Sequence, residues 1–177
     1  IPAWTLGSTH GEANAMVYLA WSNDGLYGAV AVKDSTVRVH EPRNFWNCDT
    51  LELFVDTGNN KQPRKFATGD HQFFIVPQPD ENRAFVGRWK VGTEIAETQY
   101  DIAGMKTASK KADGGYVMEF QIPASQLQNF QPGKPIGLNL NLTVTGKHNK
   151  REVFWSRPKS TGVNVQPMNW ATVELVD

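Results

Sequence analysis

The chain reads as an all-β protein, a two-sheet antiparallel β-sandwich. Three observations carry that reading. Apolar residues recur at every second position in run after run, Gly- and Asn-rich turn signals separate the runs, and only one short stretch resembles a helical turn. In order, 15–21 places Ala15, Val17, Leu19 and Trp21 on one face, and 26–33 does the same with Leu26, Gly28, Val30 and Val32. In 50–56, Leu51, Leu53 and Val55 oppose Thr50, Glu52, Phe54 and Asp56. Strands are expected at 71–77, 83–90, 95–100 and 105–110, and at 116–122 with Tyr116, Met118, Phe120 and Ile122 on one face. The stretch 123–129 opens on Pro123 and reads as a helical turn. The clearest alternation is 136–145, where Ile136, Leu138, Leu140, Leu142 and Val144 oppose Gly137, Asn139, Asn141, Thr143 and Thr145. Strands at 151–156 and 171–176 complete the set. Half-buried strands give this pattern when one face meets the core and the other meets water. Asn23-Asp24-Gly25, Thr57-Gly58-Asn59-Asn60, Asp113-Gly114-Gly115 and Pro132-Gly133 are the joining turns.

Composition narrows the function. The 177 residues carry 18 Lys+Arg against 18 Asp+Glu, a net charge of zero, which argues against a nucleic-acid binder or a polybasic membrane-surface protein. With 40% hydrophobic residues the chain can bury a core, and no repeat or linker divides it, so 1–177 is read as one domain. No apolar run is long enough to span a bilayer. Ile1-Pro2-Ala3-Trp4 is not a basic region leading into an apolar one, so no signal peptide is expected within this sequence. Cys48 is the single cysteine, which excludes an internal disulfide; it is read as a half-buried small residue.

No phosphate loop, nucleophile elbow, HExxH or CxxC is present. Asp70-His71 has no triad spacing, and Asp49 and Glu52, three apart before and within a strand, fall on opposite faces, a poor geometry for a glycosidase pair. The chain is therefore not expected to be an enzyme. Instead, Asn139, Asn141 and Thr143 on one strand and Thr50, Glu52 and Phe54 on another offer amides, a carboxylate and aromatic carbon. Sugars need that mixture, because their hydroxyls pair with polar groups and their C–H faces lie on rings. The same residues also suit an ordinary solvated sheet face. Trp46, in the polar stretch 41–50, is the aromatic residue placed to serve as a platform.

Several segments taken together carry a resemblance: 26–34 (LYGAVAVKD), 46–56 (WNCDTLELFVD), 71–74 (HQFF), 115–123 (GYVMEFQIP), 136–141 (IGLNLN), Trp155-Ser156 and 170–175 (WATVEL). Over nearly the whole chain, this order resembles carbohydrate-binding modules of family 9. The resemblance implies a jelly-roll-like sandwich that grips the end of a mono-, oligo- or polysaccharide chain, linked covalently to a glycan-degrading enzyme outside the cell or at its surface. It also implies a structural calcium ion. Trp46 matches one wall of the family's two-tryptophan clamp, Glu52 matches the strand carboxylate, and Asn141 stands where the family places a Gln. Phe74 and Val76 stand where Arg and Asn are expected, and Asn164 stands in place of the second tryptophan. Phe74 or another loop residue is expected to supply a new apolar contact with changed ligand preference, the alternative being a module that has lost sugar binding. Oxygen donors for calcium are sought at Asp56, Asn59, Asn60 and Asp70, residues that equally suit plain turn chemistry. The sandwich also resembles haem-binding DOMON-like domains, but Met118 alternates with core residues and haem is not expected. A third reading is a ligand-free interaction domain of a larger enzyme.

Overall fold

The computed structural model describes residues 3–6, 14–34, 36–39, 43–63, 65–91, 99–100, 102–145, 150–155 and 166–176. Among them are twelve strands and no α-helix. The strands are β1 (Ala3–Leu6), β2 (Asn14–Ser22), β3 (Gly25–Lys33), β4 (Thr50–Asp56), β5 (Asp70–Gln78), β6 (Arg83–Val91), β7 (Gln99–Tyr100), β8 (Lys106–Ala112), β9 (Gly115–Pro123), β10 (Ile136–Thr145), β11 (Lys150–Phe154) and β12 (Ala171–Val173). They form a five-stranded sheet, β1-β2-β3-β9-β8, and a seven-stranded sheet, β11-β10-β4-β5-β6-β7, with β12 also on β10. Every described pairing is antiparallel. The predicted turns do their work: Asp113 and Gly114, at φ +69°, close the β8–β9 hairpin in two residues. Pro123 is extended and precedes a single 3-10 turn, Ala124–Gln126, where a longer helical turn was expected. The strand β1 was missed because four residues are too few to show a period.

The core lies between the sheets. From the five-stranded side come Val17, Leu26, Val30, Val32, Tyr116, Met118 and Ile122, and from the other Leu51, Leu53, Val55, Phe73, Ile75, Leu138, Leu140 and Leu142. The expected alternation is observed, and each buried Leu or Ile contributes about 1.5–3 kcal/mol by leaving water.

One expectation is corrected. The outer face of the seven-stranded sheet is not solvated. Thr50, Glu52, Phe54 and Asp56 of β4 and Asn139, Asn141 and Thr143 of β10 are all buried, because loops close over that face. Phe66 and Trp170 cover Phe54, and the segment around Phe45 covers Phe74. Cys48, expected half-buried, is fully enclosed in that second cluster. Trp21 and Trp155 pack against the main core.

Candidate functional site

The polar residues singled out on β4 and β10 meet on the covered face. Antiparallel register sets Glu52 directly opposite Asn141 on one side and Phe74 on the other. Asn141 Nδ2 donates to Glu52 Oε1 at 2.8 Å, and Gln72 Nε2 donates to Glu52 Oε2 at 2.7 Å. Gln72 was not anticipated. It sits two residues from Phe74 and so faces the same way, which was the available signal; its diagonal reach to Glu52 needed the register to be known.

The charge on Glu52 dictates how the two amides point. A carboxylate accepts only, so each amide must turn its NH2 inward and its carbonyl away. The carbonyl oxygens of Asn141 and Gln72 are accordingly buried without a hydrogen-bond partner. Buried acceptors are normally satisfied, and leaving one unmade costs about 1–3 kcal/mol. Two such oxygens flanking one carboxylate form an acceptor-rich patch that calls for hydroxyl donors.

Trp46 connects to this patch through Phe45 and Phe74, the latter opposite Glu52 in register. It lies in a 3-10 turn, Phe45–Asn47, and is 43% exposed. The turn is held from beneath: the buried Thr50 hydroxyl donates to Phe45 O at 2.6 Å and Cys48 N donates to the same oxygen at 3.1 Å. The Trp46 ring meets Phe45 edge-on at 5.1 Å, and Phe45 stacks on Phe74 at 4.0 Å. Phe85 and Tyr100 close around Phe74, and the Arg43 guanidinium lies 5.0 Å above the Tyr100 ring. Phe74 itself is wholly buried. The expectation that it touches a sugar is therefore corrected: it has no free surface, and it acts by carrying the Phe45–Trp46 platform. Val76 is buried in the same cluster, so the departures at 74 and 76 are one packing unit. Gly87 on β6 makes room for it, since a Cβ there would sit 2.1 Å from the Phe74 ring. Asn164 lies outside the described residues.

Three of the four calcium candidates are engaged in hydrogen bonds. Asp56 accepts from Gly58 N at 3.1 Å and Lys61 N at 3.0 Å, Asn59 accepts from Thr172, and Asp70 Oδ2 accepts from Ala67 N. Lys61 Nζ donates to Trp170 O at 2.5 Å and lies within the field of Asp56, so this corner already holds a cation. Burial, with Asp56 opposite in register, raises the Asp70 carboxyl to about 6. A different pair of carboxylates keeps buried oxygens without partners. Asp49 is fully buried; its Oδ1 accepts from Thr145 N and Oγ1 at 2.8 and 2.7 Å, while its Oδ2 and Asp34 Oδ2 are buried without partners. Burial raises the Asp49 pKa, and the Asp34 charge adds to the effect. Among the described residues no group of three or more His, Cys, Asp or Glu gathers around one point.

A buried carboxylate clamped by two amides, joined through Phe74 and Phe45 to an exposed indole on an all-β sandwich, has the make-up of a binding module. Residues 2–177 match the family described as "Carbohydrate family 9 binding domain-like", and the chain belongs to it. It is 26% identical over 173 residues to endo-1,4-beta-xylanase A of Thermotoga neapolitana and 27% identical over 176 residues to its counterpart in Thermotoga maritima. The matches cover 97% and 98% of this chain but 15% of each xylanase, so the chain spans about one-seventh of the length of these relatives. Among solved structures it is similar to a family 9 carbohydrate binding module from Caldicellulosiruptor kristjanssonii in complex with cellotriose. There the TM-score is 0.76 and the identity 16%, over 98% of this chain and 82% of that one. A second such structure, in complex with glucose, gives a TM-score of 0.69 at 17% identity, over 98% and 81% of the two chains.

Proposed function

We propose that the module holds a mono- or oligosaccharide, or a polysaccharide chain end, on the covered face of the seven-stranded sheet. Trp46 is the platform, Glu52 the charged acceptor, and Asn141 and Gln72 the neutral acceptors. The observation that carries this is the pair of orphaned carbonyl oxygens beside Glu52, which sugar hydroxyls would satisfy. Asn164 belongs to the proposal because it stands where the resemblance expects the second tryptophan, and an asparagine cannot replace that ring. With one aromatic wall, affinity is set near millimolar, about −4 to −6 kcal/mol. The named ligands of the structural relatives, cellotriose and glucose, are the first to try, with xylotriose beside them.

Calorimetry tests the site. Trp46→Ala should remove most of the binding. Glu52→Gln should weaken it, because a bond to a charged acceptor contributes about 1.5–3 kcal/mol. If no sugar binds the wild type, or Trp46→Ala binds equally well, the ligand-free interaction domain takes its place.

The xylanase relatives support a wider context: an accessory domain covalently linked to a glycan-degrading catalytic domain, working outside the cell or at its surface. Calcium belongs to the proposal as a structural ion at Asp34 and Asp49, whose unpartnered oxygens are the hard donors it prefers. Saturating calcium should raise the melting temperature of the wild type and leave Asp49→Asn unmoved, since an ion bound only by the native state stabilises it by mass action. An unchanged wild-type melting curve after chelation would remove calcium from this end of the sandwich.

A further inference from the structure

The two outer sheet faces differ. The face bearing Glu52 is largely covered by loops, with Glu52 itself still 9% exposed. On the other, the outer side of β2, β3, β9 and β8 carries an open groove of about 420 Å³. Its residues follow from register. One cross-strand row reads Tyr18, Ala29, Glu119, Ala108, and the next reads Ala20, Tyr27, Gln121, Lys106. Tyr18 and Tyr27 are thus diagonal neighbours, each opposite an alanine, so two rings stand above a floor that keeps them accessible. Tyr18 is 37% exposed and Met16, beside it on β2, 38%. The Tyr27 hydroxyl is held by Gln121 Nε2 at 3.2 Å and lies 3.3 Å from Ser22 Oγ, which fixes the ring.

Charge selects among occupants. Lys106 and Glu119 line the groove, Lys110 and Lys33 stand exposed on the same face one and two rows beyond Tyr18, and among the described residues of these strands Glu119 is the one outward carboxylate. None of the three lysines forms an ion pair with a described residue. Three cations against one anion leave the face net positive on a chain whose total charge is zero. Rings flanked by a polar amide and a surplus of ammonium groups fit a chain with C–H faces, hydroxyls and carboxylates. Neighbouring strands lie about 4.8 Å apart, so the three spacings from β2 to β8 give a track of roughly 14 Å, long enough for several sugar units.

We propose that this groove is a second saccharide site, separate from the Trp46 site, and that it takes an acidic glycan segment bearing uronate groups. The rings stack on the sugars and the lysines pair with the carboxylates.

Titrating the intact chain with trigalacturonate, followed by amide chemical shifts and calorimetry, tests the proposal. Shifts should gather on β2, β3, β8 and β9. Tyr18→Ala and Tyr27→Ala should each weaken binding about tenfold, which is about 1.4 kcal/mol. Tyr27→Phe, which keeps the ring, should retain most of it. Changing Lys106 and Lys110 together to Gln should weaken binding about tenfold and flatten its salt dependence. Trp46→Ala should leave trigalacturonate binding unchanged while abolishing that of cellotriose, so failure of either site is read separately. The proposal is overturned if trigalacturonate does not bind, as expected of a face reserved for a neighbouring domain. Loss of trigalacturonate binding in Trp46→Ala, or equal shifts on this face from neutral cellotriose, would also overturn it.

Discussion

Glu52 is held by two amide donors, and this changes what its removal should do. A side chain on the outer face of a strand is ordinarily cheap to truncate. Here Glu52→Ala strips both Asn141 Nδ2 and Gln72 Nε2 of their acceptor inside a covered face. Each buried donor left unpaired costs about 1–3 kcal/mol, so chemical denaturation should show a loss of that order or more. Glu52→Gln should lose less stability, since its carbonyl oxygen still accepts one of the two bonds. Equal stability of Glu52→Ala and wild type would mean that the clamp is not formed in solution. Alternation had already placed Glu52 and Asn141 on one surface. It could not reveal Gln72, because the Gln72–Glu52 bond depends on which strands are neighbours and in what register. Nor could it show that Phe74 is buried, since a phenylalanine on an outer face reads alike whether a loop covers it or not.

Among the elements, β4 and β10 show what a period of two does and does not disclose. The inward rows appear as expected, and Leu51→Ala, Leu53→Ala and Leu140→Ala should each cost about 2–5 kcal/mol in a denaturant titration. The outward rows were recognisable as a surface of amides and hydroxyls, but their covering was not. It comes from irregular segments around Phe45, Phe66 and Trp170, which carry no period to detect. Strand β6 reaches the site through an absence. Gly87 gives the Phe74 ring its place, so Gly87→Ala must push that ring toward Phe45. Overpacking of this kind costs about 1–3 kcal/mol. It should also tilt the Trp46 platform, so sugar affinity should fall along with the melting temperature. A Gly87→Ala variant that is less stable yet binds normally would disconnect Phe74 from the site.

For the whole molecule, His71 contributes to the dependence of stability on acid. Its Nε2 accepts from Gln128 N at 3.1 Å, and burial, assisted by the Arg88 charge, lowers its pKa from 6.5 to about 3. A depressed histidine contributes stability above pH 6.5 and loses it as the pH falls toward 3, because the unfolded chain takes up the proton first. The full effect is about 4–5 kcal/mol. Asp70 next to it has the opposite sign: with its carboxyl raised to about 6, it favours the fold at low pH and withdraws that contribution between pH 4 and 6. His71→Gln, which keeps an acceptor for Gln128, should therefore flatten the acid limb of the stability curve, and Asp70→Asn should steepen it. Identical pH profiles for His71→Gln and wild type would show that the imidazole is not neutral in the fold. The sandwich also ends well at its margins. Among the described residues, the seven-stranded sheet stops at the two-residue β7 on one side and at the five-residue β11 and three-residue β12 on the other. The five-stranded sheet stops at the four-residue β1 and at β8, which carries Lys106, Lys110 and Lys111. Short margins and a lysine-rich strand give a foreign chain little backbone to zip onto. The described edges of the sandwich thus leave copies of the module few exposed backbone groups through which to join sheet to sheet.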